Sequence, residues 1–351
     1  MQSNRRCIAK MEGNVIRLTL DEVFTLSKAA VLACGATEVN AISLARSIRE
    51  AEAEGIRNVG LRFLPYYCDH LLQGAIVGDA VPAVFDKSPA VVLVDAKNGL
   101  AHPAYDLAED LFYNKARTCG LAALAIKNAY YNGVEGYFVK RMAEQELIGF
   151  ACTNAMSMVA PYGGRKPFLG TNPLAFGVSR KNRAPLIIDL STSTTAFVNV
   201  AAAAADDRRA PDTWALDSAG QPTTDPHKGL QGRLQPLGGP KGTGLGLIVE
   251  ILAAGLAGSH WSFEVPAFTT EMSEPPQIGQ FYLAIDASQF GNPDLASRLE
   301  VMLGEMLSQG GVRLPGDSRV IAREKAETEG VEVEEALYKT LRNYAQNSSC
   351  N

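Results

Sequence analysis

Ala90-Val-Val-Leu-Val-Asp95, the helical stretch from Asp106 to Arg117 and Leu121-Ala-Ala-Leu-Ala-Ile126 together decide the fold class. Two short apolar runs, the first rich in β-branched residues and closed by the turn Lys97-Asn98-Gly99, flank a segment of helical period. That arrangement predicts a strand, helix, strand unit. Downstream, strands are predicted at Leu147 to Thr153, Leu174 to Val178, Leu186 to Leu190 and Phe281 to Ile285. A helix is predicted from about Gly242 to Leu256, a helical tail from Asp294 onward, and Ala201 to Ala205 as part of another helix. Upstream, Thr19-Leu-Asp-Glu22 reads as a capping box that opens a helix near Leu20. A second helix, from about Glu38 to Glu54, ends at Gly55, so the two make a helical hairpin. The whole pattern is α/β.

At 351 residues and 46% hydrophobic content the chain can bury a large core, as one big domain or two intertwined ones. Its 33 basic and 38 acidic residues leave a net charge of -5 without a basic cluster, so no footprint for nucleic acid or an anionic membrane is present and small-molecule chemistry is favoured. No apolar run of signal-peptide length precedes Asp21, and even Leu245 to Ala257 falls short of the roughly 20 residues that span a bilayer. A cytoplasmic location is the resulting expectation. The six cysteines stand singly and the four histidines lie too far apart for a local ligand pair, which argues against a metal site.

A doubly wound nucleotide fold would show Gly-x-Gly-x-x-Gly directly after a strand, and no such arrangement occurs. Gly238-Gly-Pro-Lys-Gly-Thr-Gly244 precedes a helix and can present backbone amides to an anion, although the phosphate-loop spacing is absent. Taken by itself it is a helix-entry turn more often than a ligand site.

The segment Val159-Ala-Pro-Tyr-Gly-Gly-Arg-Lys-Pro-Phe-Leu-Gly-Thr-Asn-Pro-Leu-Ala-Phe-Gly177, with Ile187-Ile-Asp-Leu-Ser-Thr-Ser193, resembles the central signature of the malate/L-lactate dehydrogenase-like family. Asp95 to Gly99, Trp214 to Pro226, Gly238 to Gly242, Gly279 to Asp286 and Leu314 to Asp317 extend the match over roughly Leu18 to Leu341. The resemblance implies a non-Rossmann NAD(P)-binding α/β fold with a mixed sheet and a helical N-terminal hairpin. It implies a polar lead-in at 1–17, a helical substrate and dimerisation domain from 18–90 and 290–351, and an NAD(P)-binding α/β domain at 91–289. It further implies a homodimer that uses NADPH or NADH.

By the same resemblance, cofactor contacts fall on the stretch Tyr131, Asn132, Gly133, Val134 and Glu135, on Ile187, Ile188, Asp189 and Leu190, on Pro240 and Lys241, and on Arg313, Gly316, Asp317 and Arg319. The chemistry agrees, because Lys241, Arg313 and Arg319 can meet phosphate oxygens and glycine at 242 and 316 permits close backbone approach. Thr171 falls where imine-reducing relatives contact substrate, and its hydroxyl either binds a carboxylate or satisfies a turn.

The family's Ser-His-Gly-x-x-Arg-x-Pro motif corresponds here to Asn58-Val-Gly-Leu-Arg-Phe-Leu-Pro65. Gly60 and Pro65 fix the register, so Asn58 replaces the serine, Val59 the proton-donating histidine and Phe63 the carboxylate-binding arginine. Arg62 stands one position early, as a candidate substrate-binding replacement. A second family histidine is replaced by Tyr131, while the relay carboxylate Asp189 remains. Asn58, Tyr131 and Asp189 are thus the candidate catalytic positions. Tyr131 is either a substitute acid, if a nearby cation lowers its pKa, or an aromatic packed on the cofactor.

Losing a general acid hurts a ketone, which develops an alkoxide, more than a cyclic imine that arrives already protonated. The favoured reading is therefore an NAD(P)H-dependent reductase of a small cyclic imine or 2-oxo acid, in specialised metabolism. The alternatives are a cofactor-retaining relative redirected to cyclisation, elimination or isomerisation, and a non-catalytic binding paralogue.

Overall fold

A computed structural model describes residues 14–269, 271–292 and 294–346. The expected lead-in therefore lies mostly outside the described residues. Strand β1 (Val15–Leu18) leads into α1 (Leu20–Ala33), which is opened by the predicted capping box. The Glu22 N–H donates to Thr19 Oγ1 at 3.2 Å and the Thr19 N–H to Glu22 Oε2 at 2.8 Å. Helix α2 (Glu38–Ala53), capped by Thr37, completes the hairpin, and α3 (Leu64–Leu72) follows a short 3-10 turn at Arg57–Val59.

Strands β2 (Ala83–Ser88) and β3 (Val91–Asp95), helix α4 (Ala101–Cys119) and strand β4 (Leu121–Ala129) contain the predicted unit, with β3 parallel to β4. Helix α4 begins five residues before Asp106 because Pro103 falls in its first turn, where its missing N–H costs nothing. Next come α5 (Glu135–Glu144), β5 (Ile148–Thr153), β6 (Leu174–Arg180), β7 (Arg183–Leu190) and α6 (Phe197–Ala205). A small sheet of β8 (Ala215–Leu216), β9 (Pro222–Thr223) and β10 (Arg233–Leu234) surrounds α7 (Pro226–Gln231). Helix α8 (Pro240–Glu250) runs into a π-helical turn, Ile251–Gly255, and β11 (Ile278–Ile285) returns to the main sheet. Helices α9 (Leu295–Leu307) and α10 (Asp317–Glu329), strand β12 (Val331–Glu334) and α11 (Glu335–Gln346) close the described chain.

The main sheet is mixed, with seven strands in the order β2-β3-β4-β11-β5-β6-β7. Only β3 and β4 are parallel neighbours; β11, late in sequence, pairs antiparallel with both β4 and β5 and fills the centre. One core lies between this sheet and helices α4 and α5, built on Tyr105, Phe112, Phe138 and Tyr282. A second lies within the helical unit, where α1, α2, α3 and α11 bury Leu44, Ile48, Leu64, Tyr67 and Leu341.

β2 is hydrogen-bonded to β3, so the sheet begins at Ala83 rather than after residue 90. In the tail, α9 packs Leu299 and Leu303 against Val178 and Leu186 of the sheet, so the segment after 290 first belongs with the α/β part. The tail is not wholly helical either, because β12 pairs with β1 and ties the two ends of the described chain together.

Candidate active site

The loop that carries Asn58 to Pro65 is built around a buried carboxylate. Glu52, on the last turn of α2, accepts the Leu61 N–H at 2.7 Å, and burial pushes its carboxyl pKa up. The fit is so close that a Cβ on Gly60 would stand 2.3 Å from Glu52 Oε1, which explains glycine there. Asn58 and Arg62 point to solvent and Val59 is half-buried. The Arg62 guanidinium donates to Glu334 Oε1 on β12 at 2.6 Å. Arg62, the candidate replacement for the family arginine, is thus paired with an acidic side chain in this structure.

Phe63 turns inward instead, into an aromatic cluster. Its ring lies 5.4 Å from Phe268, stacked, and 5.1 Å from Tyr67, edge on. Tyr66 and Tyr131 also lie on Phe268, at 4.9 and 5.4 Å. Two of the four altered motif positions, Phe63 and Tyr131, therefore meet through one shared ring. Below them His70 Nε2 lies 2.7 Å from the Thr269 carbonyl and Nδ1 lies 2.6 Å from the Tyr130 hydroxyl. A carbonyl only accepts, so Nε2 carries the proton and Nδ1 accepts from Tyr130, the tautomer of a neutral imidazole. Burial lowers the His70 pKa and keeps it neutral.

Tyr131 does not have the cation that would make it a good acid. Burial pushes its phenol well up, against a smaller downward pull from the Met156 backbone, and the hydroxyl makes no full hydrogen bond. Of the two readings of Tyr131, these surroundings favour an aromatic packing role over a substitute acid.

The segments expected at a cofactor converge on β7. Asp189 Oδ2 accepts from the Gly136 N–H at 3.1 Å and from Arg319 Nη2 at 3.0 Å. A Cβ on Gly136 would come within 2.6 Å of Arg319 Nη1, and one on Gly316, whose φ is +85°, within 2.9 Å of the Ile187 carbonyl. The start of α5, the strand Ile187 to Leu190 and the start of α10 are thus pressed together. Burial raises the Asp189 pKa while the Arg319 charge opposes it. Arg319 also lies 3.8 Å from Glu54, and its buried Nη1 has no hydrogen-bond partner among the described residues. Asp317 caps its own turn by accepting the Leu314 N–H at 3.0 Å.

Further along, the Thr192 N–H donates to the Thr171 carbonyl at 2.9 Å, and the Leu237 N–H donates to the Thr192 carbonyl at 2.8 Å. These bonds bring Thr171 and the turn before Pro240 to the end of β7. Helix α8 has no side-chain cap, and Gly238 and Gly239 adopt φ of +60° and +65° to turn into it. Lys241 and Arg313 are exposed and make no ion pair among the described residues. An anionic, phosphate-bearing cofactor fits these two cations and the open N-terminus of α8.

Sequence reading placed Glu135 only at the end of a cofactor-contacting stretch and missed its buried environment. It is fully buried, accepts Asn132 Nδ2 on Oε1 at 2.6 Å, and leaves Oε2 without a partner. Burial, with the Asp189 charge adding, pushes its pKa up to about 8. A capping-box or ion-pair signal could not have found it, because its environment comes from Tyr282 and Asp189, far off in sequence. Among the described residues no group of three or more metal-ligating side chains comes together.

The sequence profile of the family described as malate/L-lactate dehydrogenase matches residues 18–342. The chain is 40% identical to the (2R)-3-sulfolactate dehydrogenase (NADP(+)) of Chromohalobacter salexigens, over 93% of this chain and 98% of that one. It is 36% identical to the Δ1-pyrroline-2-carboxylate/Δ1-piperideine-2-carboxylate reductase of Pseudomonas putida, over 95% of this chain and 98% of that one. The crystal structure of a Δ1-piperideine-2-carboxylate reductase from Pseudomonas syringae pathovar tomato superimposes with a TM-score of 0.89 at 34% identity, covering 94% and 99% of the two chains.

Proposed function

The chain belongs to the malate/L-lactate dehydrogenase family, and from that premise we propose that it is an NAD(P)H-dependent reductase of a small cyclic imine or 2-oxo acid, with the imine preferred. The observation that carries the preference is the aromatic cluster at two of the four altered motif positions, where Phe63 and Tyr131 share Phe268 and no lowered acid is present.

NADPH or NADH, when bound, supplies the hydride. Lys241, Arg313 and the first amides of α8 hold its phosphates, and Gly316 and Gly133 let the backbone approach it. Asp189 and Arg319 act as a strut that fixes β7 against α5 and α10 rather than as a proton relay. Tyr131 would pack against the nicotinamide and exclude water there. Thr171, at the end of β7, orients the substrate. Asn58, exposed on the loop, takes no proton. A protonated cyclic imine needs nothing more than this placement, because hydride addition discharges its positive nitrogen, whereas a ketone leaves an alkoxide that no positioned acid here neutralises. The redirected, non-redox reading and the binding-paralogue reading have no feature of their own in the site.

We also infer a cytoplasmic homodimer. Among the described residues no helix is long and apolar enough to cross a membrane. Helix α8 and its π-helical turn expose Ile248, Ile251 and Leu256 at 52, 56 and 61%, an apolar stripe suited to a second subunit. A role in specialised biosynthesis rests on the departure of the site from the family motif.

The direct test follows the loss of reduced-nicotinamide absorbance with NADPH and NADH against pyruvate, oxaloacetate and cyclic imines. Imine reduction with weak 2-oxo acid turnover is expected. Turnover of malate or lactate at ordinary dehydrogenase rates would sink the preference, and absence of saturable cofactor binding would sink the reductase.

A further inference from the structure

The strap Gly170-Thr171-Asn172-Pro173 leads into β6, and Asn172 within it is fully buried with a φ of +38°. That is the left-handed region, which a residue other than glycine holds only where its surroundings over-determine it. Here the surroundings are α8. Asn172 Nδ2 donates to Oε2 of Glu250, the last residue of that helix, at 2.6 Å and to the Gly246 carbonyl at 3.0 Å. Glu250 is itself buried, and Ser262 fills its other acceptors: the Ser262 N–H donates to Oε1 at 2.5 Å and the Ser262 hydroxyl to Oε2 at 2.7 Å. A carboxylate out of water is costly unless such donors satisfy it, so the three contacts stand or fall together.

Thr171 is fixed from the opposite side. Its carbonyl accepts from the Thr192 N–H at 2.9 Å and from the Thr192 hydroxyl at 3.1 Å. Gly170 is closed in as well, since a Cβ there would stand 2.5 Å from the Ala155 carbonyl. Yet Thr171 is only half-buried, and among the described residues its own hydroxyl takes part in no hydrogen bond. A backbone held at three consecutive residues around one uncommitted hydroxyl is pre-organised to present that group. The clamp also spans the site, because α8 has Glu250 at one end and Lys241 in its first turn, roughly 14 Å apart by helical rise.

We infer that Glu250 is a positioning residue for hydride transfer: through Asn172 it aims the Thr171 hydroxyl at an oxygen acceptor on the substrate, and through α8 it sets that hydroxyl against the cofactor. This rests on the reductase reading and deepens it. Glu250 touches neither substrate nor cofactor; it acts by keeping residue 171 in one orientation, so that the hydrogen bond to substrate forms without first ordering the strap.

The test is a double-mutant cycle on the full-length protein with NADPH, run on Δ1-pyrroline-2-carboxylate and on pyruvate. Thr171→Val keeps the shape and removes the hydroxyl, and should lower kcat/KM by about 10- to 100-fold, as loss of a hydrogen bond to a charged acceptor does. Glu250→Gln turns one acceptor into a donor that faces Ser262 or Asn172, and should cause a loss of the same order, chiefly in KM, while NADPH affinity by fluorescence titration is unchanged. The double variant should lose little beyond either single change, because both remove the same contact. Asn172→Gly keeps the positive φ without strain and removes the clamped amide, so it gives a second cycle with Thr171→Val if Glu250→Gln does not fold. Losses that multiply in the double variant, or wild-type kcat/KM in Glu250→Gln or Asn172→Gly, overturn the inference while leaving the reductase standing, since the clamp then serves the fold alone. Saturable NADPH binding without turnover of either substrate by the wild type removes the reductase reading and this inference with it.

Discussion

Val59 and Tyr131 set the chemistry of this site by what they lack. A positioned general acid contributes about 10² to 10⁴ in rate, so combining Asn58→Ser, Val59→His and Phe63→Arg should raise 2-oxo acid reduction by up to that order and imine reduction far less. Steady-state kinetics on both substrate types checks it, and an equal gain on both would contradict the assignment. Glu135 offers a second test. Its pKa of about 8 in the folded protein, against an ordinary 4.5, means that the native state binds the extra proton. Stability on its account is fully present below about pH 4.5 and is lost as the pH rises through 8. Glu135→Gln should therefore raise the unfolding temperature at pH 9 and change it little at pH 5, with a gain on the order of a few kcal/mol at the alkaline end. The reverse pattern in a thermal scan would refute the buried, protonated carboxyl. At this scale the sequence motifs located Asn58, Phe63, Tyr131 and Asp189. They were silent on Phe268 and on the pairing of Arg319 with Asp189, because each reaches its partners across more than a hundred residues and no local pattern encodes such a pairing.

Helices and strands were more legible than side-chain partners. The capping box at Thr19 and the apolar runs of β3 and β4 are local signals, and they fall where the periodicity predicts. The π-helical turn at Ile251–Gly255 was not legible, since its extra backbone residue is imposed by what it packs on. A Cβ on Gly279 of β11 would stand 2.0 Å from the Ala253 carbonyl, and one on Gly255 2.9 Å from the Trp261 ring. Gly279→Ala should then drive the turn off the sheet and destabilise the protein by about 1 to 3 kcal/mol or more, as overpacking does, read by denaturant unfolding. Gly136→Ala tests the other junction. It forces Arg319 from Asp189 and should both lower stability and weaken NADPH, because β7, α5 and α10 meet there. Unchanged cofactor affinity in a folded Gly136→Ala protein would separate the strut from the binding site.

For the whole molecule, the α/β class and the presence of a helical unit could be read from the chain, but its borders could not. β2 joins the sheet and β12 joins β1 through pairings whose partners the alternation of apolar residues does not name. The apolar stripe on α8 belongs to this scale too. Light scattering coupled to sizing chromatography should give about twice the 37.5 kDa chain mass, and Ile248→Glu with Ile251→Glu should shift it toward one. A wild-type monomer at micromolar concentration would reject the dimer.

The position of β11 bears on how the protein is made. Its two neighbours, β4 and β5, are complete by Thr153, yet the strand that joins them begins only at Ile278. At ribosomal speeds of roughly 5 to 20 residues per second, the interval is on the order of ten seconds. Throughout it the nascent chain carries two unpaired strand edges, each an invitation to a neighbouring polypeptide. Efficient production should therefore depend on a chaperone that shields those edges during elongation, and ribosome-stalled chains ending before residue 278 should be cut by protease where those ending after 300 resist.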